Sequence, residues 1–408
     1  MDLKILVLAF VVLTTIYSIL LNVIRYRSAN NPTPESVSDI YDSETYEKWK
    51  KYSAEHCRVD IASSAISSIV SLSLLATNAF SAFASLFPSG IFMQLLAVII
   101  LEVAVSVVVS VVFDYIKIMK IEQKYGFNRS SMKTFIFDEI RGLIISMILC
   151  VGIASAMSLL LISKYLIFAF AAIVFSITML ISLLYPYLSR IGNKFTPLED
   201  GELKERLLEM LSKHGYSVKA IEVMDASRRT TKLNAYIAGF GKTKTIVLYD
   251  NMLEKMSNDE ICAIFAHEMG HGLHKDVLKS QIFNIGNIAL ISALVFISVS
   301  EVRLCTQFGF SGLNLGFAYI LVSIGLGVLQ PLISMATNAH TRAAEYAADR
   351  QAVIEGYGES MISAFKLLAK DNFANLSPSR INVILEYSHP PIHSRIDAVR
   401  EQMAKLEK

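Results

Sequence analysis

The residues best suited to chemistry in this 408-residue sequence are the run His-Glu-Met-Gly-His over residues 267–271. A spacing of four places His267 and His271 on one helix face, where two imidazoles can bind one metal ion. Glu268 then lies beside a water on that ion. The serine at position 257 and the glutamate at position 260 form a capping-box pattern, which predicts that the helix begins there. The alternative is a soluble helix with two surface histidines.

A catalytic zinc ion requires a third protein ligand and keeps a fourth position open. The metzincin pattern is excluded, because it needs glycine and histidine at positions 274 and 277, which are histidine and valine here. The other pattern is a glutamate on a later helix, with an aspartate one turn on that orients a ligating histidine. Glu345 and Asp349 match it and share a helix face, although such a pair is also common on a solvated surface. We therefore predict zinc bound by His267, His271 and Glu345.

This site predicts hydrolysis of a peptide bond. Zinc supplies a Lewis acid and a water whose pKa is near ~7, and Glu268 accepts the proton of that water and later returns it to the leaving amine. A further donor should face the developing oxyanion. In the polar C-terminal tail, His389 and Arg395 are the best candidates, with an ordinary capped turn as the alternative. The histidines at 56, 214, 340 and 393 lack such spacing, and we assign them to packing or to the surface.

The composition indicates a membrane protein: 53% of the residues are hydrophobic and 18% are charged, and the mean hydropathy is +0.47. A net charge of +2 provides no overall field that would attract nucleic acid. Four cysteines are scattered without a closely spaced pair, so we predict neither disulfides nor cysteine metal ligands.

Seven stretches are long and apolar enough to cross a bilayer, which takes about 20 residues each. The run 61–101 is about twice that length, and Pro88-Ser89-Gly90 interrupts it, so we expect a helical hairpin whose second arm continues towards residue 116. The last run, 304–341, becomes helical from about residue 314. The other four spans are 5–24, 143–163, 165–189 and 280–300. The first lacks a cleavage site and is predicted to be retained, with a removed signal peptide as the alternative.

The distribution of basic residues predicts the orientation. Only Lys4, Lys164 and Arg303 lie on the side of the short loops, so the positive-inside rule places the long charged segments in the cytosol and the N-terminus outside. Glu102 would be costly in the middle of a span. It indicates either a water-filled interior or a span that begins after it.

Residues 190–279 form the one sizeable insertion between spans. We predict a helix over 200–214, strands over 234–240 and 245–249 joined by a turn at 241–244, and then the metal-binding helix. The predicted division of the chain is 1–189 (spans one to five), 190–279 (catalytic insertion), 280–341 (spans six and seven) and 342–408 (C-terminal segment with the third ligand).

The chain resembles the CAAX prenyl protease 1 family of seven-span zinc endopeptidases over nearly its whole length. Besides the run at 267–271, the matching stretches are 125–129, 196–198, 234–236, 246–250, 342–349, and His389-Pro390 with Arg395. In the family, the residues that match His267, His271 and Glu345 bind zinc, and the residue that matches Glu268 is the base.

The resemblance also implies the surroundings of the metal. Asn234, Ala235 and Tyr236 resemble the family's substrate-aligning strand, whose edge pairs with an extended peptide. Asn338, like His389 and Arg395, matches a polar residue that lines the family's site. We expect Asp349, Asn338 and Arg342 around the metal ligands.

The fold implied by the resemblance is an all-α multispan membrane protein, in which seven helices surround a large chamber and a small α+β zincin-like insertion carries the zinc. The implied activity is removal of the last three residues from proteins with a C-terminal isoprenylated cysteine, in some cases followed by a second cut upstream. Partners would be the prenylated substrate and membrane lipid, with no nucleic acid. The implied location is the endoplasmic reticulum or nuclear envelope membrane, and an apolar chamber open to the cytosol would suit the lipidated tail.

Three positions depart from the family pattern: Gly272 replaces a frequent aromatic residue, Asp276 a frequent histidine, and Thr341 a frequent serine. Asp276 also occurs in bacterial relatives that degrade misfolded membrane proteins. A quality-control protease of the same fold, acting on unprenylated substrates, is therefore the main alternative. A channel or transporter is the third hypothesis, and a 90-residue insertion that carries a metal site argues against it.

Overall fold

The computed structural model describes residues 2–239 and 244–407. Within them, seven helices are long and apolar enough to cross a membrane, as predicted. They are α1 (Leu3–Ser28), α2 (Ser43–Ala76), α4 (Ile91–Asp114), α5 (Met132–Ala156), α7 (Ile167–Leu188), α11 (Asp276–Ser300) and α13 (Leu315–Ile354). Short helices α3 (Ala79–Ala84), α6 (Leu159–Ile162) and α12 (Arg303–Thr306) lie in the connections between them.

The limits of three spans differ from the prediction. Helix α2 begins at Ser43, where Asp42 caps it, and therefore includes a charged stretch that we had assigned to a loop. The first break of the hairpin comes at Asn78, in the left-handed region (φ 57°), and α4 begins after Gly90. Helix α13 continues unbroken past Thr341 to Ile354. The part of α13 after Thr341 is rich in alanine, which favours helix, and this part contains no glycine or proline.

A cavity of about 800 Å³ with a mixed polar and apolar lining lies between α1, α2, α4, α5 and α13. Glu102 lines it from within α4, so the span does not begin after this residue. Apolar side chains such as Val103, Leu143 and Ile320 form part of the cavity's lining, as expected of an apolar chamber, and polar groups lie among them. On α2, positions 64, 67, 68 and 71 place four serines on one face, and further serines on the other helices join Glu102, Asp138 and Glu139 in the lining.

The catalytic insertion contains a four-stranded sheet in the order β1-β2-β4-β3. The strands are β1 (Phe195–Pro197), β2 (Ala220–Met224), β3 (Ala235–Ala238) and β4 (Thr245–Tyr249). β3 and β4 pair antiparallel as predicted, whereas β1 and β2 were not predicted. β2 pairs parallel with β4, which leaves β3 at one edge of the sheet. Phe240 and positions 241–243 of the predicted turn lie outside the described residues.

Helices from the catalytic insertion and from the C-terminal segment pack around the sheet. Helix α8 (Glu202–Lys213) matches the predicted helix, and α9 (Asp250–Lys255) leads to α10 (Asn258–Leu273), which begins at Ser257 with the predicted capping box. The C-terminal helices are α14 (Gly358–Asp371), α15 (Arg380–Leu385) and α16 (Ile392–Leu406). One hydrophobic core joins Leu207, Ile246, Phe265, Phe365 and Ile396. Because α10 is buried in this core, the metal-binding helix has a rigid support on several sides.

Candidate metal centre

His267, His271 and Glu345 converge at the end of α10, where α13 crosses it. Their ligand atoms all lie within 4.8 Å of one another. The two histidine Nε2 atoms are 3.2 Å apart, and His271 Nε2 is 3.4 Å from Glu345 Oε1. His267 Nε2 is 3.6 Å from Glu345 Oε2. Tetrahedral bonds of about 2.1 Å put ligand atoms about 3.4 Å apart, so the spacing fits a single zinc-sized ion.

Hydrogen bonds on the far side of each imidazole indicate the tautomers. His267 Nδ1 is 2.9 Å from Asp349 Oδ1, and His271 Nδ1 is 3.0 Å from Asp276 Oδ2. Carboxylates only accept, so each Nδ1 carries the proton and each Nε2 presents a lone pair. These lone pairs meet the carboxylate of Glu345, whose Oε2 has no hydrogen-bond partner among the described residues. Three acceptors that face one another form a site suited to a cation.

The charges around the site favour such a cation. Burial alone would lower the pKa of His271, but hydrogen bonds to Glu345 and Asp276 overcome it and raise that pKa to about 9. The carboxylates therefore stabilise positive charge at the point where the two Nε2 atoms meet. A divalent metal bound there replaces a proton in the same field.

Glu268 faces the same space as the ligands. It lines a cavity of about 430 Å³ together with His267, His271 and Glu345. Burial raises the pKa of Glu268 above that of an ordinary glutamate. A carboxylate with a raised pKa is a stronger proton acceptor, which is the property that a general base needs.

The two residues predicted to face an oxyanion occupy different environments. His389 lines the cavity, its side chain is 63% exposed, and its Nε2 is 3.2 Å from Glu345 Oε1. Arg395 is buried and donates to both carboxylate oxygens of Asp349, at 2.9 and 2.6 Å. It also lies 3.2 Å from Glu345 Oε2. His389 is therefore placed to contact a substrate, whereas Arg395 positions Asp349 and Glu345.

Asn338 and Arg342 contact the segment before His389 and not the predicted metal ligands. Asn338 donates to the carbonyl of Leu385, and Arg342 donates to the carbonyls of Val383 and Tyr387 at 2.8 and 2.7 Å. These carbonyls belong to α15 and to the turn that leads into His389. Both side chains thus hold the segment that presents His389, and their contacts do not extend to the histidine ligands.

The edge strand opens onto the same cavity. Asn234, Ala235, Tyr236 and Ile237 line it opposite the metal ligands. The geometry therefore brings the predicted substrate strand, the predicted base and the three predicted ligands around one space, an arrangement that suits an extended peptide.

Two residues near the candidate metal site were not among the predicted site residues. Asp276 holds His271, and the signal was an acidic residue at the first position of the next helix, within reach of the last turn of α10. His340 lines the cavity, with its ring stacked on Phe283 at a centroid distance of 4.9 Å. No spacing rule in the sequence connects His340 with the ligands.

Replacing Asp276 by asparagine should weaken metal binding about 10- to 100-fold, the usual effect of losing such a partner. The asparagine side chain can present its amide nitrogen to His271 Nδ1, which destabilises the tautomer that leaves Nε2 free. Competition with a zinc-selective chelator, followed by metal analysis, measures the change. Asp259→Asn, on the exposed first turn of α10, is the matched control. Unchanged affinity in Asp276→Asn would mean that the hydrogen bond does not orient the ligand.

Family models match nearly the whole chain. The model for peptidase family M48 matches residues 197–403, and the model described as CAAX prenyl protease N-terminal, five membrane helices, matches residues 22–190. The membrane-helix model and the seven apolar helices identify an integral membrane protein.

Individual relatives carry the same family name. The chain is 32% identical to a CAAX prenyl protease 1 homolog of Arabidopsis thaliana over 70% of this chain and 69% of the relative. It is 27% identical to a homolog from Oryza sativa subsp. japonica over 98% of each chain. Among solved structures, the crystal structure of S. mikatae Ste24p superposes with a TM-score of 0.89 at 24% identity, over 98% of this chain and 99% of the other. That likeness confirms the fold of seven helices around a chamber.

Proposed function

Because this chain belongs to the CAAX prenyl protease 1 family within peptidase family M48, we propose that it is a zinc endopeptidase that removes the C-terminal tripeptide of isoprenylated CAAX proteins. The proposal includes a second, upstream cleavage in some substrates. The observation that carries it is the convergence of His267, His271 and Glu345 around one cation-sized space. That space shares its cavity with Glu268 and with the edge strand β3.

The residues of the cavity divide the reaction among them. A zinc ion held by the three ligands supplies a Lewis acid for the scissile carbonyl and lowers the pKa of water. Glu268 takes the proton from the attacking water and delivers it to the leaving amine. His389, beside Glu345 and at the mouth of the cavity, donates to the oxygen on which negative charge develops.

The edge of β3 orients the peptide. Its partner β4 occupies one side, and the side at the edge of the sheet offers backbone donors and acceptors to an extended substrate. Pairing with an edge strand places alternate substrate side chains towards and away from the sheet, so the scissile bond is presented in one register. Because this binding mode uses main-chain hydrogen bonds, it should tolerate peptides of varied sequence.

The chamber between the membrane helices contributes hydration and access. Its serines and acidic side chains suit a hydrated peptide, and its apolar side chains, among them Val103, Leu143 and Ile320, offer contacts to the isoprenoid. We propose that the protein resides in the endoplasmic reticulum membrane, with the catalytic segments in the cytosol and the N-terminus in the lumen. The uneven distribution of basic residues supports this orientation.

Cleavage should depend on the isoprenoid. We expect kcat/KM for a farnesylated CAAX peptide to exceed that for its unprenylated form by at least about tenfold, because each buried lipid CH₂ contributes about 0.8 kcal/mol. The measurement is release of the tripeptide by purified enzyme in lipid nanodiscs, followed by mass spectrometry. A peptide with a straight alkyl chain of the same carbon number on the cysteine controls for simple partition into the bilayer.

A membrane quality-control protease of the same fold is the second candidate. Two observations favour it: Asp276 beside the second histidine, and the serines and acidic side chains in the lining of the chamber. Equal turnover of the prenylated and unprenylated peptides would support this function and contradict the first proposal.

A further inference from the structure

The residue after the second histidine makes an unusually close contact. A Cβ atom at Gly272 would lie 1.9 Å from the hydroxyl oxygen of Tyr216 and 2.4 Å from its Cζ. Tyr216 follows α8 and packs against the hydrophobic core that surrounds α10. Only glycine at position 272 allows the tyrosine ring to lie directly against the last turn of the metal-binding helix.

The hydroxyl of Tyr216 also holds the beginning of β4. Lys244 Nζ donates to Tyr216 Oη at 2.8 Å and lies 4.5 Å from the centroid of the ring. A hydrogen bond and a cation–π contact therefore join the same two side chains. The next residue, Thr245, pairs with Ala238, the last residue of β3. Through Lys244 and the Thr245–Ala238 pair, Tyr216 holds the C-terminal end of β3.

The N-terminal end of β3 is held by a different side chain. Asn372 accepts from the backbone N–H of Leu233 at 2.9 Å and donates to the carbonyl of Leu233 at 3.1 Å. Leu233 lies directly before the segment that lines the metal cavity. The edge strand is thus held at both ends, and at the Tyr216 end the holding side chain also packs against the helix that carries His267 and His271.

We infer that Tyr216 is a positioning residue that sets the separation between the metal ligands and the substrate-binding edge of β3. The inference rests on the proposed function, because it takes β3 as the strand that binds the peptide. Loss of the contact should let the β4 end of the hairpin move away from α10. Substrate binding should weaken, whereas the ligands and Glu268, which α10 and α13 hold, should keep their arrangement.

A double-mutant cycle tests the inference. Tyr216→Phe and Lys244→Met should each raise KM about three- to tenfold, the effect of losing one hydrogen bond, with kcat and zinc content unchanged. The double variant should raise KM no more than Lys244→Met alone, since that change already removes both the hydrogen bond and the cation–π contact. Lys244→Arg keeps a charged donor and should retain the wild-type KM. The assay uses whichever peptide the wild type cleaves, prenylated or unprenylated, so failure of the CAAX proposal does not prevent it.

The matched control is Tyr165→Phe, which removes a hydroxyl from an exposed tyrosine in a connection between membrane helices. It should leave both constants unchanged. Multiplicative effects on KM in the double variant, or a fall in kcat at constant KM, would overturn the inference. So would a loss of zinc from Tyr216→Phe, because that would show a role in holding α10 itself.

Discussion

Glu268→Gln should reduce kcat by at least about a thousandfold while the metal stays bound, because general acid–base catalysis contributes about 10²–10⁴-fold and this residue is used twice. Glutamine keeps the size of the side chain, but its amide cannot accept the proton of the attacking water. Glu268 lies in the cavity without being one of the three ligands. Binding of zinc and of substrate should therefore survive the change.

Single-turnover assays with a peptide substrate, together with metal analysis of the same sample, measure both halves of this prediction. Glu254→Gln, an exposed change on α9, is the matched control and should retain full activity. Wild-type kcat in Glu268→Gln would exclude Glu268 as the base. Loss of zinc from this variant would instead place Glu268 among the groups that hold the metal.

Glu345→Ala should abolish activity and also release the metal. Glu345 is 3% exposed and contributes the only carboxylate ligand of the cluster. Two imidazoles alone bind zinc weakly, so affinity should fall by more than the about 10- to 100-fold expected when only a hydrogen-bond partner is lost. The change also leaves Arg395 with Asp349 as its remaining carboxylate partner among the described contacts, so some loss of stability is expected.

The zinc content after dialysis distinguishes Glu345→Ala from Glu268→Gln. Glu345→Ala should contain little metal at any purity, whereas Glu268→Gln should contain as much as the wild type. Glu359→Ala, an exposed change in the first turn of α14, is the matched control. A melting curve in the presence of a chelator shows whether inactivity arises from unfolding. Full zinc occupancy in folded Glu345→Ala would disprove the ligand set.

Short-range patterns were sufficient to predict much of this protein. The capping box, the pair of histidines four residues apart and the apolar spans all depend on residues within a few helical turns. The seven spans and the helix that carries His267 and His271 are accordingly confirmed. Glu345 could be proposed as a ligand from the sequence because a catalytic zinc ion requires a third protein ligand. The histidine pair on the preceding helix limits the sequence patterns that can supply this ligand.

Only the tertiary structure decided how the distant parts meet. The three-residue strand β1 and the strand β2 were missed, because their pairing joins segments that carry no marked alternation of their own. Arg395 was expected to face the substrate, but it is buried against Asp349, and no local pattern reveals which of two nearby polar residues turns inward. The contact of Tyr216 with Gly272 likewise depends on packing between distant segments. The periodicity of hydrophobic residues indicates which face of a helix or strand is buried. Which other element packs against that face depends on the complete fold.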